Sequence, residues 1–221
     1  MAESMAGTDS TQSAAEGGPA IILVKPQLCE NIGTAARAML NCGLTDMRLV
    51  APRDNWLEER AFAAASGADR VLLAARVFDT TEAAIADLSR VWATTGRNRF
   101  MTKPVDTPRQ AAVAIRGAMA VGQKCGLLFG PERTGLENDD VVLADTVLTV
   151  PLNPSYASLN LAQAVLLVGY EWFQCEAADA LPPMTKAPSR RPTRRSWCSS
   201  SSTWNASWTP AASCAIPRSG R

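Results

Sequence analysis

The stretch Cys125-Gly126-Leu127-Leu128-Phe129-Gly130-Pro131-Glu132-Arg133-Thr134-Gly135-Leu136 decides the fold. Its first five residues carry no charge and no polar alternation, which marks a strand buried on both faces of a sheet. Gly130 ends the strand, Pro131 turns the chain, and a helical pattern begins at about 136. Gly130 and Gly135 permit close backbone approach or positive φ. In α/β folds a ligand sits outside the carboxyl end of such a strand. The plain alternative is a Gly-Pro turn with Glu132 and Arg133 as a surface charge pair.

The same strand-to-helix exchange recurs in both directions along the chain. Strands are expected over 21–25, 47–51, 71–73, 91–95 and 146–152, with helices over about 33–41, 56–66, 81–88, 108–119, 136–143 and 158–175. Apolar strands separated by helices require a parallel sheet covered on both faces, so the fold class is α/β. There is no internal repeat. No G-x-G-x-x-G follows the first strand and no G-x-x-x-x-G-K-[ST] occurs, which argues against an ordinary dinucleotide or ATP site.

Composition narrows the chemistry further. Among 221 residues there is no histidine, which excludes an imidazole base, a Ser-His-Asp triad and the usual His-containing zinc sites; no metal is expected. Residues 182–221 hold seven cations and no acid, leaving 15 cations against 21 acids in the body. The body is therefore acidic, and any nucleic-acid contact must come from local patches. The six cysteines form no C-x-x-C pair, and residues 1–18 are acidic, small and polar rather than an export signal. Reduced thiols in a cytoplasmic protein are expected, behind a disordered leader over 1–18. The most apolar stretch, 159–173, is interrupted by Asn160, Gln163 and Glu171, too polar for a membrane span.

Two more junctions resemble the one at Gly130 in texture. In Glu30-Asn31-Ile32-Gly33-Thr34-Ala35-Ala36-Arg37, small residues let a helix start close to another backbone, Asn31 can cap it, and Arg37 lies one turn past Gly33. An arginine there can hold a phosphate or a developing oxyanion in a bidentate fork; otherwise it is a solvated side chain on a capped helix. In the stretch from Val150 to Leu161, a strand gives way to a polar turn and an apolar helix, whose leading Ser158 and Asn160 can present donors to a ligand or simply cap it.

Taken together, N-I-G-T-A-A-R (31–37), L-F-G-P-E-R-T-G-L (128–136) and N-P-S-Y-A-S-L-N-L-A-Q-A-V (153–165) resemble the three signature motifs of the SpoU branch of the SPOUT RNA 2′-O-methyltransferases. The likeness covers about residues 20–175. Within the branch it is to the bacterial tRNA enzymes that methylate a cytidine or uridine ribose at the start of the anticodon loop. The resemblance implies a sheet with a C-terminal trefoil knot, S-adenosylmethionine as cofactor and a homodimer. Position by position, it implies a cofactor pocket lined by Thr94, Thr95, Gly96, Gly130, Val150, Ala157, Ser158 and Leu159. Arg37 matches the family's catalytic arginine, with Asn31, Glu132, Ser158 and Asn160 on the same active-site surface.

A sulfonium cofactor is already cationic, so mostly neutral loops suit it. Arg37 is a poor base, and its expected part is to stabilise the 2′-alkoxide and grip a phosphate, with the proton acceptor left open. Arg97, Arg99 and Lys103 follow a strand end of the pocket, and Arg133 lies in the second motif, so these cations can gather around RNA or form a solvated basic loop. An rRNA enzyme of the same branch and a non-catalytic RNA-binding protein on the same scaffold are the rival readings.

The domain is expected over 19–180. From 181 onward the chain has Pro-Pro, paired arginines, four consecutive serines and three tryptophans over 197–208, with no apolar period. This tail is expected to be disordered and reads as an out-of-frame translation of a helical C-terminus. Translated from the last base of codon 204, the gene should give E-R-E-L-D-A-G-G-F-L-R-H-P-E-K-R, a string with charged helix formers and a Gly-Gly stop. Nucleotide sequencing checks this, and bases that cannot encode that string end the idea.

Overall fold

A computed structural model describes residues 17–96 and 102–177. The expectations for residues 1–16, for Arg97 and Arg99, and for 181–221 lie outside the described residues. Seven strands, β1 (Ala20–Val24), β2 (Met47–Val50), β3 (Arg76–Phe78), β4 (Arg90–Thr94), β5 (Val105–Asp106), β6 (Cys125–Phe129) and β7 (Thr146–Leu148), form one sheet in the order β3-β2-β1-β6-β4-β7-β5. Every pairing is parallel, with Ile21 beside both Met47 and Leu127 at the centre.

The central strands have no polar face because both sides are covered. On one side Ile21, Leu23, Trp92, Leu127 and Phe129 pack against α1 (Cys29–Asn41), α2 (Glu59–Ala65), α3 (Asp69–Leu73), α5 (Pro108–Ala120) and α7 (Leu161–Ala177). On the other, Ile22, Val24, Val91, Ala93 and Leu128 pack with Ala84 of α4 (Thr81–Ile85) and Val141 of α6 (Asn138–Leu143). The small residues of α1 let α2 approach so closely that a side chain on Gly33 would overlap the Ala61 carbonyl. After β7 the chain returns over the sheet and α7 packs against α1 and α5, in keeping with the knotted end that the resemblance implies.

Several boundaries differ from the sequence reading. Residues 71–73 are the end of helix α3, not a strand; Val71 and Leu72 are buried and Leu73 is 68% exposed, and so short an apolar run carries no period of its own. The strand beside β2 is β3, whose largely exposed edge position removes the apolar signal, and the two-residue β5 at the opposite edge was likewise not expected. The last strand stops at Leu148, before Pro151 and Pro154, and α7 starts at Leu161 rather than 158. The first helix begins earlier than expected, at Cys29, so Asn31 lies inside it and does not cap it.

Among the described residues the most deeply buried charged side chain is that of Arg48. Arg48 on β2 is 2% exposed, and its guanidinium donates to Asp46, to Asp87 and to the Ala84 carbonyl, while Arg76 also donates to Asp46. Burial pushes the Asp46 carboxyl up, but hydrogen bonds from Arg48 and Arg76 more than reverse this and leave it below its ordinary value. The Arg48 hydrogen bond likewise lowers Asp87 against a smaller opposing effect of burial. Folded values below the unfolded ones mean that this stabilisation is fully present above about pH 4 and is lost as pH falls through the depressed values. Arg48→Met should cost about 2–3 kcal/mol at neutral pH, less than a fully buried pair because both carboxylates keep some water. Urea unfolding as a function of pH checks it: the variant should lose less further stability than the wild type on acidification.

Candidate active site

The carboxyl ends of β4, β6 and β7 open on one cavity of about 410 Å³. Thr94, Thr95 and Gly96 come from the end of β4, and Phe129 to Leu136 from β6 and its turn. Leu148, Val150 and Leu152 follow from β7, with Ala157, Ser158, Leu159, Leu161 and Ala164 on the entry to α7. The walls are tied together by hydrogen bonds: Thr94 Oγ1 donates to the Leu128 carbonyl (2.8 Å), Thr149 Oγ1 to that of Thr95 (3.1 Å) and the Thr95 amide to that of Leu148 (3.0 Å).

Two glycines shape the middle wall for different reasons. A Cβ on Gly130 would overlap the backbone at Gly135 and Leu136, because the turn folds back onto the strand end. Gly135 sits at φ +67°, where side chains are strained, and its amide closes the turn onto the Pro131 carbonyl at 2.8 Å. The lining is neutral apart from Glu132 and Arg133, and its volume suits a nucleoside-sized ligand.

Beside the cavity, side chains from three distant segments join in a directed chain. Asn160 caps α7: its Oδ1 accepts from the Ala162 amide (2.9 Å), and Gln163 Oε1 accepts from the Asn160 amide (3.3 Å) in return. Asn160 Nδ2 donates to Asn31 Oδ1 (2.9 Å), and Asn31 Nδ2 donates to Glu132 Oε1 (2.6 Å). The second Glu132 oxygen accepts from the Gln27 amide at 3.1 Å. Asn31 is 9% exposed, so its partners replace water almost completely.

All eight positions expected to form the pocket line this one cavity, and Glu132 and Arg133 line it too. Asn31 and Asn160 stand behind its wall rather than in it, and Ser158 lines it without capping α7, which was the alternative use for that serine. Arg37 is exposed on α1 with no partner among the described residues. Arg133 is also exposed, and the Lys103 ammonium donates to the Val142 and Ala144 carbonyls at the end of α6. Gln163 was missed, although its position three residues after Asn160 is the capping-box spacing that could have found it.

The SpoU rRNA Methylase family model matches residues 18–170. The chain belongs to that family. An uncharacterized tRNA/rRNA methyltransferase of Haemophilus influenzae is 39% identical over 151 residues, 68% of this chain and 61% of the relative. A Pseudomonas aeruginosa family member, the tRNA (cytidine/uridine/adenosine-2′-O-)-methyltransferase TrmJ, is 38% identical over 68% of this chain and 58% of its own length. The chain thus spans about three-fifths of these relatives. The crystal structure of TrmJ from Z. mobilis ZM4 superposes with a TM-score of 0.67 at 60% identity, covering 76% of this chain and 72% of that one.

Asn31→Leu removes the donor of Glu132 and the acceptor of Asn160 at once. It should destabilise the protein by about 2–3 kcal/mol, the cost of stranding polar groups that are partly buried. Chemical denaturation of the variant against wild type measures it.

Proposed function

We propose that this protein transfers a methyl group from S-adenosylmethionine to a ribose 2′-oxygen of tRNA, at a cytidine or uridine where the anticodon loop begins. The observation that carries the reading is the convergence of three motif loops on one neutral cavity beside the Glu132–Asn31–Asn160 chain. The tRNA specificity is supported by the Pseudomonas relative, whose name specifies 2′-O-methylation of cytidine, uridine and adenosine in tRNA.

Bound in the cavity, S-adenosylmethionine supplies an activated methyl group on a sulfonium. Thr94, Thr95, Gly96, Gly130, Val150, Ala157, Ser158 and Leu159 would hold it, largely through backbone groups and small neutral side chains, so that no lining cation other than exposed Arg133 opposes its charge. Methyl transfer then depends mainly on aligning the 2′-oxygen with the methyl carbon. Arg37, exposed and unpartnered among the described residues, grips the adjacent phosphate and stabilises the developing alkoxide. Glu132, fixed by two donors, holds the wall of the cavity in register with the start of α1, which carries Arg37. Arg133 adds a second exposed cation at the cavity for the RNA backbone.

The protein works on this reading as a cytoplasmic homodimer, with residues 19–180 as the catalytic body. Leu166, Leu167 and Tyr170 form an exposed apolar strip on α7, at 42%, 39% and 52% exposure, which suits burial against a second copy.

Arg37→Ala should abolish methyl transfer while leaving S-adenosylmethionine affinity within about twofold, because the arginine serves the RNA and the transition state. Arg37→Lys should also be poor, since one ammonium does not reproduce the guanidinium fork. Calorimetry gives the cofactor affinity, and mass spectrometry of tRNA nucleosides gives the ribose methylation. Full activity in Arg37→Ala removes the arginine from the mechanism, and wild-type protein that binds no S-adenosylmethionine overturns the reading.

A further inference from the structure

The turn between β7 and α7 holds an aromatic ring in solvent. Ser155 donates from both its amide (3.1 Å) and its hydroxyl (2.9 Å) to Asn153 Oδ1, and the Tyr156 amide donates to the Asn153 carbonyl at 2.9 Å. Pro154 fixes its own φ within the same turn. Tyr156 itself is 76% exposed, and no hydrogen bond of its hydroxyl is found among the described residues. The ring is therefore not part of the core, while its backbone amide is held by the Asn153 carbonyl.

Its neighbours give the position meaning. Leu152 on one side and Ala157, Ser158 and Leu159 on the other all line the cavity, so Tyr156, outside the lining itself, is flanked along the chain by residues of its wall. The aromatic ring within the lining, Phe129, is 1% exposed and closed to any ligand base. Exposed Arg133 on the lining offers a phosphate partner, and the Tyr156 ring offers the complementary π-face. Bases stack on exposed aromatic side chains without a hydrogen-bond code, and a ring carried on a backbone fixed beforehand loses less entropy in the process.

We propose that Tyr156 is a stacking platform for a nucleobase of the RNA substrate, at or next to the nucleotide whose ribose enters the cavity. This rests on the reading of the cavity as an RNA methyltransferase site. It adds a base-side contact to a site otherwise furnished with phosphate and ribose contacts. Stacking tolerates more than one base, so Tyr156 would contribute affinity and placement rather than a choice between cytidine and uridine.

The test uses the full chain, saturating S-adenosylmethionine and an anticodon stem-loop RNA. Tyr156→Ala should weaken RNA binding by about 5- to 100-fold, the range expected for one lost base stack. Tyr156→Phe should stay within about twofold of wild type, and the cofactor affinity of both variants should be unchanged. A 2-aminopurine placed at the target position should be less quenched by Tyr156→Ala than by wild type. Equal RNA affinity in Tyr156→Ala overturns the proposal, as does loss of a dimer in sedimentation, which would assign the ring to a second copy. Wild type that binds the RNA without methylating it overturns the enzymatic reading and leaves stacking to be decided by the affinities; wild type that binds no RNA overturns both.

Discussion

Two side-chain hydrogen bonds, Asn160 to Asn31 and Asn31 to Glu132, hold together segments 129 and 101 residues apart in the chain. Their direction is fixed at one end. Asn160 Oδ1 is committed to the Ala162 amide at the start of α7, so its Nδ2 must donate. Asn31 therefore presents Oδ1 to Asn160 and Nδ2 to Glu132, and Glu132 must be an acceptor on both oxygens. The N-terminus of a helix thus orients a carboxylate on the cavity wall through an intermediate amide. Each of the three recurring motifs contributes one link, which gives a physical reason for their occurring together.

The sheet places these links. Because β6 lies between β1 and β4, and β4 lies beside β7, three strand ends carrying short loops open on the same edge. Gly33 lets α1 seat against α2, and Gly130 lets the turn after β6 fold back on itself. The small residues are therefore spacers that set distances between backbones, and the polar chain fits the distances they leave. The ionic cluster of Arg48, Asp46, Asp87 and Arg76 fastens β2 to α4 on the side of the sheet away from α1, and supports the frame rather than the cavity.

What could be read from the residues followed the strength of their local signal. Central strands such as 21–24 and 125–129 were legible because burial on both faces leaves an unbroken apolar run. Edge strands β3 and β5 were not, since exposure erases that run, and Val71 to Leu73 of α3 read as a strand because three apolar residues carry no period. At the site, the positions expected around a pocket followed from the resemblance that the three motifs carry, and one cavity collects them. From the residues alone Asn31, near a helix start, reads as a cap; the resemblance puts it on one surface with Glu132 and Asn160, and the tertiary approach of those two supplies the hydrogen bonds that join them. The contacts of Lys103 were not legible either, its partners being carbonyls at the end of α6 that are remote in sequence.

The strand order also governs how the chain can come together during synthesis. Central β1 finds β2 within about 25 residues, but its other neighbour, β6, does not exist until residue 129 has been made. At roughly 5–20 residues per second, the interval from β1 to β6 is on the order of 5–20 seconds, during which one edge of an apolar strand stays unpaired on the nascent chain. The closing helix α7 arrives later still, and Asn160, which caps it, reaches Glu132 through Asn31. Non-local parallel pairing of this kind folds slowly. The active-site chain is consequently completed only after the last strand of the sheet has been made, so a chain that stops short of Asn160 can hold all seven strands and still lack it.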